Sequence, residues 1–564
     1  MPSREHARHP LLLLSTGTIA GWMALWLMWK LWIGGMVLAA ASGEGGFQWL
    51  VSLIDERRVA NPAWDDPEHV VWVASTIMTR IGMVWGGAVA TAILVIRRRS
   101  VARRLGGFLT ETDAALNLAI LRIATFGTLL MLPAGGEEFI IHVGLPDALL
   151  FPPSGLGPLL ASNLPEPGAA RVMLYAWIMV TTMAAAGFLT RPATIASAVL
   201  TLVILGVPQL HGKVNHSHHL VWFAILLATS RCGDVLSVDA WLGRRRQAPA
   251  SDIRYGLPLH FAWLLLGMVY FFPGIWKLWT GGADWIFSDH LRHQIWHQWT
   301  THATWKPMID PTDHPWLLRA GGLGVVAFEL SFIFMMFDRR TRILAFVLGL
   351  GFHLANMATL NIAFISLMGV YVVLIDWQRL LAATGIRSIR LGIGRTDGPH
   401  PRGSLIPNIV AGTVLLVGNA WYGIRGDNYG WPFACYPKFA YPIREPVRSV
   451  IELDIVDPDG RVVTESFATG RGPLRTARWI GVVSRVLKLP DGPQRDAALG
   501  ELARLAVGDR PSGTELRFHR ARYSTRPQDR DEPPINRVLL ATSVTAPTTS
   551  ATDQGQIEPA SSTQ

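Results

Sequence analysis

Apolar segments long enough, or nearly long enough, to cross a membrane recur along the whole chain. They number eleven, at about 11–41, 70–96, 114–133, 171–189, 191–208, 217–232, 257–276, 317–337, 341–359, 361–376 and 405–423. A helix of about 20 apolar residues crosses the hydrocarbon core, because a helix satisfies its own backbone hydrogen bonds there. The first segment contains Lys30 and is about twice as long as the apolar part of a secretory signal, which favours an uncleaved helix over a signal peptide. We therefore expect an all-α polytopic membrane bundle of about eleven transmembrane helices.

The composition agrees with a lipid environment. Of all residues, 50% are hydrophobic and only 16% are charged, so the excess apolar surface must face something other than water. The formal net charge of +10 arises from basic clusters beside the apolar segments, not from one nucleic-acid-binding stretch. The lipid bilayer is thus the expected partner, and no nucleic acid is expected.

Arginine clusters occupy every second connection between the apolar segments. They lie at about 97–104, 191, 244–246, 339–342 and 379–402. Basic residues mark the cytoplasmic connections of membrane proteins, so the N-terminus is predicted to be inside and the chain after about 424 outside. The abundance of Arg, Ala and Gly suggests a GC-rich bacterium, and hence a bacterial inner membrane.

This pattern divides the chain into four parts. Residues 1–110 hold two N-terminal helices, 111–424 form the main bundle, and 425–540 form a soluble part. Within the soluble part, alternating apolar residues at 450–456, ended by an Asp-Pro-Asp-Gly turn, predict a strand and a small extracytoplasmic α+β domain. The Ser/Thr/Pro/Gln-rich stretch at 541–564 is predicted to be disordered.

Polar residues at the outer ends of the apolar segments are candidates for function, since ionisable groups in or near a membrane are costly. The run Asn215-His216-Ser217-His218-His219 opens the sixth segment. His218 or His219 alone would fit a ring of polar side chains at the membrane interface. Five polar residues leading directly into an apolar helix favour a site instead.

Lys277 ends the seventh segment among three tryptophans and just after Pro273-Gly274, a pair expected to break the helix. A terminal lysine most often extends its ammonium group to water. No acidic residue lies between Tyr255 and Asp284 to act as a local counter-ion. Enclosed among indole rings, this lysine would be held partly neutral and could act as a base.

Two further histidine patterns lie on predicted helices. His353 and Asn356 are three residues apart and share a helix face, which suits a hydrogen-bonded interior pair as well as a catalytic one. His290, His293 and His297 have a spacing that can bind a metal. The tryptophans between them favour an amphipathic interfacial helix, so no metal is expected.

Taken in order, these segments resemble the transmembrane region of the vitamin K-dependent γ-glutamyl carboxylase family and its bacterial relatives, the HTTM (horizontally transferred transmembrane) domain. The similarity covers about 114–440. The similarity rests on the order of these segments and the distances between them, and no single motif is specific. The matching segments are Leu121-Arg122-Ile123, Asn215-His216-Ser217, Pro273-Gly274-Ile275-Trp276-Lys277, Trp285 and Phe352-His353-Leu354-Ala355-Asn356.

In that family a lysine deprotonates a reduced quinone, whose oxygenation generates the base that removes a proton from glutamate before CO2 adds. The resemblance therefore implies a quinone-dependent carboxylase or epoxidase, a lyase in reaction class, with Lys277 as general base and His216 beside it. It implies a reduced quinone of the vitamin K or menaquinone type, with O2 and CO2, and a protein or peptide substrate on the outer face. The residues assigned to the cofactor are Asn215, Trp276, Trp285, Asn356 and Arg122.

His353 is the third catalytic candidate. It lies at a depth similar to that of Lys277 and His216, where an unpaired polar group would be costly in lipid. We therefore predict that these three residues, from three different helices, converge on one cavity in the outer half of the bundle.

Two other functions fit the sequence. A non-catalytic HTTM protein could serve transport, maturation or lipid binding, although a transporter would be expected to show an internal repeat and none is seen. A di-iron membrane oxygenase would use the histidines from His211 to His219 and those further along, but such enzymes need more convergent histidines at stricter spacings. Tightly bound iron would distinguish it.

Overall fold

The computed structural model of the protein describes residues 9–45, 47–215, 217–244, 249, 251–302, 304–384, 404–436, 439–466, 476–507 and 513–544. Within these residues, seven helices are long and apolar enough to cross a membrane. The number rises to nine if each of two bent helix pairs counts as one span. The chain is therefore a mostly helical protein with the makeup of a multi-pass membrane protein.

The N-terminal part consists of long helices that pack on the main bundle. They are α1 (His9–Met28), which continues through a π-helical turn (Trp29–Ile33) into α2 (Gly34–Ser42), then α3 (Gln48–Ala60), α4 (Pro67–Ile96) and α5 (Arg98–Thr110). Gly82 lets α4 approach α1 closely, since a Cβ there would lie 2.2 Å from the indole of Trp22. Arg80 of α4 reaches the main bundle, where its Nε donates to the Trp279 carbonyl at 2.7 Å.

The main bundle alternates long helices with short connecting ones. They are α6 (Ala115–Met131), α7 (Pro133–Val143), α8 (Gly157–Ala161), α9 (Pro167–Ala186), α10 (Thr190–Ile204), α11 (His218–Thr229), α12 (Val238–Trp241), α13 (Ile253–Gly281), α14 (Asp284–Phe287), α15 (His290–Thr301), α16 (Pro315–Met335), α17 (Arg339–Leu360), α18 (Ile365–Val370), α19 (Trp377–Ala383) and α20 (Ile406–Arg425). A 3-10 turn, Tyr371–Leu374, follows α18.

Two of the predicted spans are bent. α6 meets Gly136–Val143 of α7 at 53°, and Ile365–Leu374 meets α19 at 67°. Pro133 opens α7 and lacks an N–H, and the residue before a proline disfavours helical backbone, so α6 ends just before it. Of the other predicted spans, α11 has only 12 residues, and Asn408 and Asn419 make α20 less apolar. Neither of these two helices is among the nine.

α13 is the central helix and contacts α4, α11, α16 and α20. Gly267 lets α16 come close, because a Cβ there would lie 2.9 Å from the Cα of Ile333. On α20, Gly412 and Gly423 each leave space for a phenylalanine ring of α13. Glycines on α13 and α20 thus allow α13 to pack closely against α16 and α20.

The last part of the chain forms an α+β domain. Two short strands form a separate parallel pair: β1 (Ser154–Gly155), between α7 and α8, and β2 (Gly430–Trp431), before the domain. The antiparallel sheet has the order β4-β3-β5-β6 and consists of β3 (Val447–Val456), β4 (Val462–Ser466), β5 (Glu515–Ser524) and β6 (Asn536–Val544). The helices that complete it are α21 (Thr476–Val486) and α22 (Pro493–Val507).

The strand predicted at 450–456 is confirmed as part of β3. β6 extends to Val544, past the predicted domain end at 540, because its residues pair with β5. The rest of the predicted disordered tail, from 545, lies outside the described residues.

A shared core and a buried ion pair fix this sheet domain to the bundle. Its apolar core includes Leu145 and Leu149 from the connection after α7. Arg478 lies 3.6 Å from Glu138 of α7 and also donates to the backbone carbonyl of Lys213. The sheet domain therefore sits at the end of the bundle where α11 begins.

Candidate functional site

A cavity of about 900 Å³ lies between α13, α15, α16 and α17, at the end of the bundle that carries the sheet domain. Aromatic and aliphatic side chains form most of its wall. Lys277 and His353, which were predicted to converge, both line it, together with Trp285 and Asn356. The polar side chains of the lining are His219, Tyr270, Lys277, Gln294, Glu329, His353, Asn356, Ser366 and Tyr436.

An ion pair between Lys277 and Glu329 is the most polar feature of the cavity. Nζ of Lys277 lies 2.6 Å from each carboxylate oxygen of Glu329. The two side chains are 5% and 6% exposed, and Nζ also lies 5.4 Å from the ring centroid of Trp285. The sequence around Lys277 offers no local counter-ion, and the structure supplies a distant one, because Glu329 comes from a helix 52 residues further along the chain.

The predicted break of the helix before Lys277 is also wrong. α13 continues through Pro273 and Gly274 to Gly281. Gly274 serves helix packing instead, since a Cβ there would lie 3.0 Å from the Cβ of Glu329. Its missing side chain lets α13 and α16 approach, and Lys277, one turn later, then lies opposite Glu329.

Two tyrosine hydroxyls hold His353. Its Nε2 lies 2.6 Å from the Tyr270 hydroxyl and 3.1 Å from the Tyr371 hydroxyl, and these hydroxyls are hydrogen-bonded to each other. Tyr371 fits because of Gly349, where a Cβ would lie 2.7 Å from its ring. Nδ1 of His353 is buried and has no hydrogen-bond partner in the described part of the chain. One ring nitrogen is thus fixed by the protein, and the other can meet a ligand.

The segment after β2, described at 432–436 and 439–443 and called the cover segment below, covers one side of the cavity with Tyr436 and Phe439. The end of α13 and the short helix α14 hold this cover in place. Nε1 of Trp285 donates to the Phe439 carbonyl at 2.5 Å, and Oγ1 of Thr280 donates to the Ala440 carbonyl at 2.7 Å. The helix that provides the lysine therefore also positions the cover.

Two of the three histidines on α15 bind the same cover segment. Nδ1 of His290 accepts from the Ile443 N–H at 2.9 Å, and Nδ1 of His293 donates to the Ile443 carbonyl at 3.0 Å. Burial, with contributions from Lys277 and His293, lowers the pKa of His290 to about 4, so its ring is neutral at pH 7 and can accept this bond. Among the residues that the structure describes, no three His, Cys, Asp or Glu side chains are grouped so that they could hold a metal ion.

The polar run before α11 is divided between the cavity and its surroundings. His219 lines the cavity, whereas Nε2 of His218 donates to the Gly430 carbonyl at 3.1 Å. The carbonyl of Asn215 accepts from the Tyr436 hydroxyl at 3.3 Å, so Asn215 supports the cover without lining the cavity. His216, a predicted catalytic residue, lies outside the described residues.

Two predicted cofactor residues lie away from this cavity. Nε1 of Trp276 donates to the Gly423 carbonyl at 2.8 Å, so its ring faces α20. Arg122 is fully buried, and its guanidinium donates to the carbonyls of Cys232, at 2.7 Å, and Leu236. In this structure both side chains join neighbouring segments of the bundle.

Residues 109–378 match the family model of the HTTM domain. The chain contains an HTTM domain. The predicted membership of the HTTM family is thus confirmed for this part of the chain. No curated protein and no solved structure matches the chain. The HTTM domain contains Lys277, Glu329 and His353, whereas the N-terminal helices, the cover segment and the sheet domain lie outside it.

Sequence reasoning missed the three residues of the HTTM domain whose side chains hydrogen-bond to Lys277 or His353. The sequence does contain a signal for Glu329. It is the single acidic residue of the apolar helix α16, and an acidic residue in a membrane helix needs a partner. Tyr270 precedes Lys277 by seven residues and so shares its helix face. Tyr371 had no periodic signal, since it lies in a short 3-10 turn.

Breaking the buried ion pair should destabilise the protein. We expect Lys277→Met to lower the free energy of unfolding by about 3–5 kcal/mol, because it leaves the Glu329 carboxylate buried without its cation. Adding Glu329→Met should recover most of this loss, since the double variant buries no charge there. Thermal unfolding in detergent measures both effects, with Arg319→Met on the exposed start of α16 as the control. An equal loss in the single and double variants would show that the pair itself is not the cause.

Proposed function

We propose that the protein is a quinone-linked membrane enzyme related to the vitamin K-dependent carboxylases, with the Lys277–Glu329 pair as its base. One observation carries this proposal: the same cavity has the Lys–Glu pair, aromatic walls and a nitrogen of His353 that has no hydrogen-bond partner among the described residues. The match of this region to the HTTM domain, whose motifs resemble those of the carboxylases, supports the reaction class.

The cavity suits an aromatic ligand that carries polar groups and a long apolar tail. Its walls offer phenylalanine, leucine and valine side chains for apolar contact. Tyr270 and Lys277 share one face of α13 and are about 10 Å apart along the helix axis, so hydrogen-bonding groups lie at two separated places. Lys277 with Glu329 at one place, and His353 at the other, would hold the two oxygens of a reduced quinone.

The Lys277–Glu329 pair can accept and retain a proton. At a separation of 2.6 Å the amine and the carboxylate hold one proton between them. With this proton on the carboxyl group, the neutral amine of Lys277 accepts a second proton from a ligand hydroxyl. This leaves an ammonium and a carboxylic acid, and the ammonium then lies beside the developing negative charge. Burial of the pair excludes water, so the proton is retained near the ligand. When bound, a reduced quinone would supply the electrons for reaction with O2 and the strong base that carboxylation requires.

We further infer eleven spans, with the cavity and the sheet domain on the outer side of a bacterial inner membrane. Adding α11 and α20 to the nine spans gives this number. The arginine-rich connections then all fall on one side, and the connection that holds α15 falls on the other. A peptide or protein substrate would reach the cavity from the outer face, beside the sheet domain.

A reduced, short-tailed menaquinone should bind in the cavity. We expect Val325→Phe to weaken binding about tenfold or more, which corresponds to about 1.4 kcal/mol, because the added ring occupies the ligand's space. The same substitution at Val347, exposed on α17, should leave the affinity unchanged. Quenching of tryptophan fluorescence measures binding, since Trp285 lines the cavity. Equal affinities in the two variants would place the ligand elsewhere.

Lys277→Arg should lower menaquinol-dependent O2 consumption by about 10²–10⁴-fold without unfolding the protein. The guanidinium can still pair with Glu329 but stays protonated, so it cannot accept a proton. Lys277→Ala should also be inactive, with partial recovery on adding a small amine. An oxygen electrode measures turnover, and Lys306→Arg, outside the cavity, is the control.

Two outcomes would change the assignment. Full activity of Lys277→Arg would mean that the residue supplies charge and not basicity. Binding of menaquinol by the natural protein without any O2 consumption would favour the non-catalytic, lipid-binding alternative.

The proposed orientation predicts that Asp459 and Thr384 lie on opposite membrane faces. Both residues are exposed, in the turn after β3 and after α19 respectively. A cysteine at position 459 should react with an impermeant thiol reagent in intact cells, and one at position 384 only after lysis. The natural Cys232 and Cys435 are buried and should give little background. The reverse labelling pattern would contradict the orientation.

A further inference from the structure

Lys30 is the one charged residue in the first long apolar span, Thr16–Ser42. It lies in the π-helical turn Trp29–Ile33, a rare geometry that is frequent at functional sites. Within the described residues its ammonium forms no hydrogen bond or ion pair. A charged side chain in a membrane helix is stabilised by opposite charges around it, so the anionic group of a ligand could bind Lys30.

Lys30 lies where two cavities meet. A space of about 500 Å³ between α1 and α4 is mainly apolar and includes Trp22 and Trp26 in its wall. A larger cleft of about 2060 Å³ reaches the start of the sheet domain. Lys30 and Asp284 line both spaces. The other charged residues of the cleft are Asp66, Glu68, Asp289, Arg444, Glu445 and Arg522.

The apolar space follows the axis of α1, away from the charged cleft. Trp22, eight residues before Lys30, lies about 12 Å further along this axis, where it packs on Gly82 of α4. Asp284 follows the end of α13, and the turn before it contacts Thr76 of α4. The charged end of the site is therefore level with the end of a spanning helix, and the apolar end points into the membrane.

Charges of both signs occur in the cleft. Lys30, Arg444 and Asp284 line the same cleft. Burial raises the pKa of Asp284, while Lys30 and Arg444 lower it. The Arg444 guanidinium lies 5.4 Å from the ring centroid of Trp72 and is held there by cation–π attraction. Two cations suit a phosphate group, and the carboxylates around them suit an ammonium group.

From this arrangement we propose that the N-terminal helices form a binding site for an aminophospholipid of the phosphatidylethanolamine type. Its phosphate lies between Lys30 and Arg444, and its primary amine donates to the carboxylates of the cleft. One acyl chain occupies the apolar space between α1 and α4. A primary ammonium can donate three hydrogen bonds, so this head group fits the cleft better than a quaternary amine or an uncharged glycerol.

Native mass spectrometry of the full chain in detergent tests the site. We expect dioleoyl phosphatidylethanolamine to bind about tenfold or more tightly than dioleoyl phosphatidylcholine or phosphatidylglycerol. Lys30→Gln should weaken its binding about tenfold or more, the effect of one lost hydrogen bond to a charged group. Arg319→Gln, an exposed cation at the end of another spanning helix, should leave binding unchanged.

A second variant separates the acyl chain from the head group. Ala283→Phe narrows the apolar space and keeps every charge, and it should also weaken binding of the phosphatidylethanolamine. Water-soluble glycerophosphoethanolamine should not compete at the same concentration, since it has no acyl chain. Equal binding of the three lipids, equal effects of Lys30→Gln and Arg319→Gln, or competition by the soluble head group would each overturn the proposal.

Discussion

A charge enclosed by protein and lipid is stabilised by an opposite charge, and the Lys277–Glu329 pair meets this requirement at the end of the bundle that carries the sheet domain. The pair forms only if α13 and α16 approach closely, and Gly267 and Gly274 permit that approach. Because α13 also contacts α4 and α20, its position affects other parts of the structure besides the ion pair. The width of the cavity, the attachment of the N-terminal helices and the site of the cover segment all depend on it.

The cover segment shows why so many histidines and tryptophans gather near Lys277. Irregular backbone beside a membrane bundle must find hydrogen-bond partners, since no regular structure supplies them. Trp285, His290 and His293 provide partners for the carbonyls and one N–H of this segment. Side chains whose spacing is typical of metal ligands therefore bind backbone here. In doing so they connect the sheet domain to the wall of the cavity.

The sequence predicted those features that depend on local pattern. The apolar segments and the strand at 450–456 follow from composition and periodicity. The clustering of Lys277 with His353 followed from their similar depth, and the HTTM family from a resemblance of ordered segments. The partner of Lys277 did not follow, because contact with Glu329 depends on the rotation and closeness of two helices. The predicted break at Pro273 failed for a related reason, since the packing around α13 keeps a proline-containing helix continuous.

The tyrosines around His353 favour one tautomer of its ring. If Nε2 is an acceptor, one hydroxyl donates to it and the second donates to the first, so both hydroxyl hydrogens are used. If Nε2 carries the hydrogen, one of the two hydroxyls loses its acceptor within the group, which is unfavourable for a buried donor. The first arrangement places the N–H at Nδ1. His353 would then donate to a ligand oxygen. In the proposed function Lys277 and Glu329 would accept a proton, so the donor and the base of the cavity would be distinct groups.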